Sequence, residues 1–215
     1  MIDNTELAAL RHDFDRDGLS ETDVNADPVE QFRLWLDAAM NAGIKDANAM
    51  TVSTVGDDGR PSARVVLLKY FDAKGFTFFT NYGSRKGRDL DRHPFAEFHF
   101  FWPDLERQVS ISGRVEKAPR ELSEEYFLSR PIESRIGAWA SDQSSEIASR
   151  KALEERVEFY KEEFGENVPL PDFWGGLTMM PDRFEFWQGR KSRLHDRIVY
   201  SPDGRGNWQI SRLAP

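Results

Sequence analysis

The sequence predicts a mainly β protein of the α+β class: an antiparallel barrel, closed or half-open, with helices between its hairpins. Three observations carry that expectation. From Ala49 to Val115 apolar residues recur with a period of two through "AMTVSTV", "SARVVLLKYF", "GFTFFT", "FAEFHFFW" and "RQVSISGRVE", which is the period of a pleated strand. The breaks between these runs are short and carry Asp, Gly, Asn or Pro, residues that reverse a chain. Strand-helix-strand alternation is scarce, which disfavours a parallel sheet. Sixteen Phe and six Trp among 215 residues supply apolar surface for one substantial core and favour strands.

Taken in order, residues 1–26 are polar, with Leu7, Leu10, Phe14 and Leu19 as the available contacts, and read as a flexible arm. Residues 27–215 read as a single domain. "DPVE" opens a helix: Asp27 caps, Pro28 suits the first turn and Glu30 completes a capping-box spacing. Val29, Phe32, Leu36, Ala39 and Met40 then share one face, and Gly43 terminates. "DDGRP" and "DAKG" fit hairpins, whereas "NYGSRKGRDLDRHP" is long enough to hold a helix between strands. Two helical stretches follow, "PRELSEEYFLSR" and residues 144–164. "RFEFWQG", "RIVYSP" and "NWQISRLAP" supply the last strands.

The formal net charge of -8 repels a nucleic-acid backbone, so local basic clusters point to small anions instead. No cysteine is present, which removes disulfides, thiolate nucleophiles and thiolate metal ligands. The histidines at 12, 93, 99 and 195 lack metal-binding spacing, and no G-x-S-x-G elbow occurs. Early acids and the lack of an apolar run of signal-peptide length make the cytoplasm the expected compartment.

Five segments are candidates for chemistry. In "RVVLLK", Arg64 and Lys69 are five residues apart, so simple alternation puts them on opposite faces of a strand; a core strand with a charge at each end is the plainer reading. In "FFTNYGSRKGR", Arg85 and Lys86 crowd the positive end of a helix dipole. An anion there, held by free N–H groups and Ser84, relieves the conflict; a solvated basic turn is the alternative. In "ERQVSISGRVE", Gln108, Ser110 and Ser112 share a face, facing either a heterocycle or solvent. In "YFLSRPIES", Tyr126, Arg130 and Ser134 recur every four residues and offer donors suited to a phosphate, or else a helix-end arginine beside an exposed tyrosine. "WQGRKSRLHDR" gathers Arg190, Lys191, Arg193, His195 and Arg197 beside Trp187. Arg193, His195 and Arg197 alternate, so in an extended segment they share one face and need something negative between them, a ligand or neighbouring Asp and Glu.

Together, "RVVLLK", "TNYGSRKGRDL", "ERQV", "SRPIESRIGAWAS-QSS" (Asp142 at the dash), "PDFWGG", "EFWQGR-SRLHDR" and the terminal "RLAP" resemble the pyridoxine (pyridoxamine) 5′-phosphate oxidase family over residues 27–215. The resemblance implies an antiparallel split β-barrel, an FMN cofactor, and a homodimer with two FMN sites at the subunit interface. It implies oxidation of pyridoxine or pyridoxamine 5′-phosphate to pyridoxal 5′-phosphate, with dioxygen returning the flavin to its oxidised form and yielding hydrogen peroxide. Flavin contacts carry over to Arg64, Val65, Lys69, Phe79, Thr80, Arg85, Lys86 and Gln108, and, from the partner subunit, to the positions Gln143, Ser144, Trp187 and Arg197. Substrate phosphate falls to Lys69, Tyr126, Arg130 and Ser134, and the pyridine ring to Arg193 and His195, the catalytic candidates. Phe79 stands where the family often has Tyr, keeping the ring without the hydroxyl. The arm, which in relatives can fold over the site with an Arg and a Tyr, here offers Arg11 and Phe14. A non-catalytic flavin or pyridoxal phosphate carrier and a split-barrel flavin reductase with another substrate are the competing readings.

Overall fold

A computed structural model describes residues 3–10 and 13–215; Arg11 and His12 lie outside the described residues. The chain divides into two compact units. One holds residues up to Ala47 together with His99–Ile111 and Asp182–Pro215, the other Asn48–Phe98 and Ser112–Pro181. Three long strands, β5 (Phe95–Trp102), β6 (Arg107–Lys117) and β7 (Trp174–Gln188), contribute residues to both.

The first unit contains α1 (Asn4–Ala9), α2 (Pro28–Asn41), β8 (Asp196–Pro202) and β9 (Trp208–Arg212). The Asp27 carboxylate caps α2 by accepting the Val29 N–H at 2.9 Å, and Gly43 follows its end at φ +75°. Phe32, Trp35, Leu36 and Ala39 are buried at helical spacing, with Phe32 against Phe100 at 4.9 Å and Trp35 edge-on to Phe186 at 5.2 Å. Met40, expected on this face, is 62% exposed, because it lies past the edge of a stripe already filled by Leu36 and Ala39. Antiparallel pairing sets Trp187 opposite Arg197 in β7 and β8, and β9 adds to β8.

The second unit contains β1 (Ala49–Val55), β2 (Pro61–Leu67), β3 (Tyr70–Asp72), β4 (Gly75–Asn81), α3 (Arg85–Arg92), α4 (Arg120–Ser129), α5 (Ile132–Ala140) and α6 (Arg150–Phe164). Its strands run β2-β1-β5-β6-β7-β4-β3. The single strand expected across "SARVVLLKYF" is two, since Leu68 turns inward and bonds Asn48 through its backbone while Lys69 N–H goes to Thr77. Pro131 caps a further helix, α5, which the sequence reading did not separate from α4. Phe127, Ile136, Val168 and Trp174 form the core beneath the helices. Among the described residues, no helix is long and apolar enough to cross a membrane.

Candidate active site

In the second unit, β4 ends at Asn81 and α3 begins at Arg85, with Ser84 as its cap accepting the Gly87 N–H at 3.3 Å. Lys86, in the first turn, is only 7% exposed. Its ammonium donates to Gln143 Oε1 at 2.8 Å, Thr80 Oγ1 at 3.0 Å and Ser84 Oγ at 3.2 Å, and Thr80 also donates to Gln143 at 3.1 Å. Every one of these partners is neutral. Burial, and then the Arg64 charge, pull the Lys86 ammonium down to about 8. Burial also lowers Arg64, with Asp89 opposing and Arg85 adding to the shift. Among the described residues none of Arg64, Arg85 and Lys86 pairs directly with a carboxylate. Three cations at a helix N-terminus with free N–H groups make a cradle for an anion.

Arg64 is fixed from behind. Its Nη1 donates to Val52 O at 3.1 Å and Thr54 Oγ1 at 2.8 Å, and its Nη2 to Ser62 Oγ at 2.6 Å. Val65, next along the strand, faces the other way and is 68% exposed. Lys69 lies beyond the end of β2, its Nζ 5.9 Å from the Tyr126 ring centroid, so Arg64 and Lys69 do serve different surroundings.

Around Tyr126 the same unit builds an aromatic stack. Phe79 lies on Tyr126 at 4.0 Å and 18° and parallel to Trp174 at 5.6 Å. The Arg130 guanidinium sits 4.8 Å from the Trp174 ring centroid, a cation-π geometry. Arg130 is the extended cap that ends α4, and Ser134 falls in the first turn of α5. The Arg130 Nη1 is buried without a hydrogen-bond partner, and burial lowers the pKa of the guanidinium. A buried donor without an acceptor is costly, and an incoming anion would satisfy it. Ser144 follows Gln143 at φ 72° on an exposed turn.

In the first unit, Phe14, Gln108, Trp187, Arg193 and His195 line a hollow of about 580 Å³. The Trp187 and His195 rings are 4.5 Å apart, and Phe14 meets both edge-on at 5.7 and 5.1 Å. Gly189 permits this approach, because a Cβ there would lie 2.5 Å from Phe14 Cδ1. The strict alternation of Arg193, His195 and Arg197 does not hold. Lys191–Arg193 is a 3-10 turn with Ser192 and Arg193 both left-handed, at φ 56° and 61°, and β8 starts only at Asp196. Acids answer most of the charge: Arg197 bonds Glu185 at 2.7 Å, Lys191 bonds Asp15 at 2.7 Å, and Arg190 lies 3.5 Å from Asp196. Burial raises Glu185, but Arg197 and Arg183 outweigh it and hold the carboxyl below its ordinary range. Among the described residues Arg193 has no ion pair. The Arg190 N–H donates to His195 Nδ1 at 3.1 Å, which leaves the proton of a neutral ring on Nε2. Burial, then Arg193, keep the imidazole below its usual pKa, with Asp196 opposing.

A family model for pyridoxamine 5′-phosphate oxidase matches residues 36–162, and the C-terminal dimerisation region of pyridoxine 5′-phosphate oxidase matches residues 174–215. The chain belongs to the pyridoxamine 5′-phosphate oxidase family. A pyridoxine/pyridoxamine 5′-phosphate oxidase of Cupriavidus metallidurans is 55% identical over 98% of this chain and all of the relative, and one of Burkholderia multivorans is 54% identical with the same coverage. The crystal structure of PhzG from Burkholderia lata 383, in complex with tetrahydrophenazine-1-carboxylic acid, is 29% identical with a TM-score of 0.86, covering 93% of this chain and 98% of that one. An FMN-binding protein of Nostoc punctiforme, 17% identical over 89% of this chain and all of that one, has a TM-score of 0.70 and shares the fold. The architecture is therefore the family's antiparallel split barrel with flanking helices, the protein is a flavoprotein oxidoreductase, and its cofactor is FMN.

The donors fit that cofactor, since a buried Lys86 and a half-buried Arg64, with no carboxylate partner among the described residues, suit a phosphate at the start of α3. Three contributors escaped the sequence reading. Trp174, quoted only within "PDFWGG", carries the stack under Tyr126 and Arg130; its pairing with Phe79 needs β4 and β7 side by side, which no local period reveals. Asp196 and Glu185 look like ordinary surface acids until register sets them beside Arg190 and Arg197.

Proposed function

We propose that this chain oxidises pyridoxine 5′-phosphate and pyridoxamine 5′-phosphate to pyridoxal 5′-phosphate, in the cytoplasm, as part of vitamin B6 synthesis and salvage. What supports the reading is two cationic clusters of different construction that have no carboxylate partner among the described residues. One is the α3 cradle of Arg64, Arg85 and Lys86; the other is Arg130, with its buried Nη1, beside Tyr126, Ser134 and Lys69. A reaction that joins a flavin phosphate to a phosphorylated substrate calls for two such sites.

When bound, FMN supplies two-electron redox chemistry, with dioxygen as final acceptor and hydrogen peroxide as its product. The α3 N-terminus and its cations hold the flavin phosphate, while Val65, Phe79, Thr80, Gln108, Gln143, Ser144, Trp187 and Arg197 complete the flavin contacts, some from the partner subunit of a homodimer. Phe79 lacks a side-chain hydroxyl, so its contact to the flavin is a main-chain one. Arg130, Tyr126, Ser134 and Lys69 hold the substrate phosphate, so that binding energy remote from the reacting carbon fixes the pyridine. Arg193, with no ion pair among the described residues, offers charge to the pyridine ring. A neutral His195 donates from Nε2 and orients that ring; its Nδ1, occupied by the Arg190 N–H, is not available as a base.

The likeness to PhzG favours a second reading, oxidation of a carboxylated polycycle that bears no phosphate, on which Arg130 would have no phosphate to bind. Anaerobic mixing decides among these. Pyridoxine 5′-phosphate should bleach the flavin, and dephosphorylated pyridoxine should do so far more slowly. Bleaching by tetrahydrophenazine-1-carboxylic acid but not by pyridoxine 5′-phosphate would support the second reading, and no bleaching by either would mark a carrier.

A further inference from the structure

Behind the flavin-phosphate cradle stands a carboxylate to which no role has been assigned. Asp89 lies on α3, three residues after Lys86, and is 8% exposed. Among the described residues it pairs directly with no cation. Its Oδ2 accepts instead from the Thr54 hydroxyl at 2.7 Å and the Ser62 hydroxyl at 3.2 Å, and the two hydroxyl oxygens lie 3.2 Å apart. Those same oxygens receive Arg64, Thr54 from Nη1 and Ser62 from Nη2. A hydroxyl has one hydrogen and two lone pairs. With both hydrogens drawn to the carboxylate, both sets of lone pairs are turned toward the guanidinium. The arrangement is an ion pair with two hydroxyls interposed, each aligned by charge at both ends. With Val52 O as third acceptor, three of the five guanidinium N–H groups are committed, and two remain for a ligand.

We propose that Asp89 is a positioning residue for the cofactor phosphate: acting through Thr54 and Ser62, it aims Arg64 at the anion held by the N-terminus of α3. This rests on the assignment of Arg64 and α3 to the FMN phosphate. A bare charge argument gives the opposite sign, since a carboxylate near an anion site repels phosphate and its neutralisation should tighten binding. Positioning gives weakening, because an Asn at 89 no longer dictates which way the two hydroxyls point and Arg64 loses its fixed plane.

The test is titration of the flavin-free full-length chain with FMN and with riboflavin, which lacks the phosphate, followed by flavin fluorescence. Asp89→Asn should weaken FMN roughly tenfold, in the range found when groups that orient a ligand-holding side chain are removed, and leave riboflavin unchanged. Adding Asp89→Asn to Arg64→Ala should cost nothing further, as two residues acting through one contact do not add. Thr54→Val with Ser62→Ala, which keeps the carboxylate and removes the relay, should reproduce the loss and carries the test if Asp89→Asn does not fold. FMN binding by Asp89→Asn that equals or exceeds the unaltered protein, while Arg64→Ala loses affinity, would overturn the role of Asp89 and leave the cradle standing. Equal losses for FMN and riboflavin would make Asp89 a merely structural residue and overturn it as well. Full FMN affinity in Arg64→Ala would remove the cradle assignment itself, and the proposal with it.

Discussion

Lys86 gives the empty and the loaded protein opposite responses to pH. Its ammonium sits at about 8 because burial and Arg64 disfavour the charge, whereas in the unfolded chain it keeps the ordinary, higher value. Below about pH 8 the lysine is charged in both states, and the fold carries the full cost of a buried cation. As pH rises from there toward the unfolded value, the unfolded chain binds more protons than the folded one, so the flavin-free protein gains stability. FMN affinity should move the other way and fall, since a neutral amine loses its attraction for phosphate. Urea unfolding of the flavin-free protein and FMN titration across that window check both signs; parallel trends would contradict the role given to Lys86. The conflict at this residue was legible in "SRKGR", because cations at a helix start call for an anion. The alternation read into "SRLHDR" misled, because nothing in that string announces that Ser192 and Arg193 adopt left-handed backbone.

Among the elements, α3 positions the site and its cap is the sensitive point. Ser84 serves both the Gly87 N–H and the Lys86 ammonium, so Ser84→Ala should lower stability by about 1 kcal/mol and weaken FMN in the same variant. Denaturant unfolding and FMN titration would show it, and an unchanged FMN affinity would separate the cap from the cradle. Helix α2, β1 and the hairpin of β3 and β4 could be located from period and turn residues alone. Helix α5 could not, since Pro131, so soon after α4, looks like a terminator although proline suits a helix start. The fifteen-residue span of β7 was also hidden, as Gly175, Gly176 and Pro181 look like breaks. A Cβ at Gly175 would collide with the Tyr82 hydroxyl, so that glycine reflects close packing and not a turn.

At the scale of the molecule, a net charge of -8 coexists with the basic C-terminal cluster because acidic side chains pair with Arg190, Lys191 and Arg197 and, among the described residues, leave Arg193 without an ion pair. Antiparallel class and solvent-facing helices follow from pattern, while the proposed division of the cofactor site between two chains has no local signature and rests on the family resemblance alone. The chain carries the family's C-terminal dimerisation region and leaves Val65, Phe95, Phe101 and Leu194 between 57% and 68% exposed. Sedimentation of the flavin-loaded protein should give a dimer, and dilution to monomer should release flavin; a stable flavin-loaded monomer would contradict the shared site. The central claim is that one set of residues holds the flavin while Arg193 serves the substrate. It is tested most directly by the rate of anaerobic flavin reduction by pyridoxine 5′-phosphate in Arg193→Ala carrying a full complement of FMN. Reduction at least about a hundredfold slower than in the unaltered protein is predicted, as for loss of a charge used only toward the reacting ring. Reduction at an unchanged rate would contradict it.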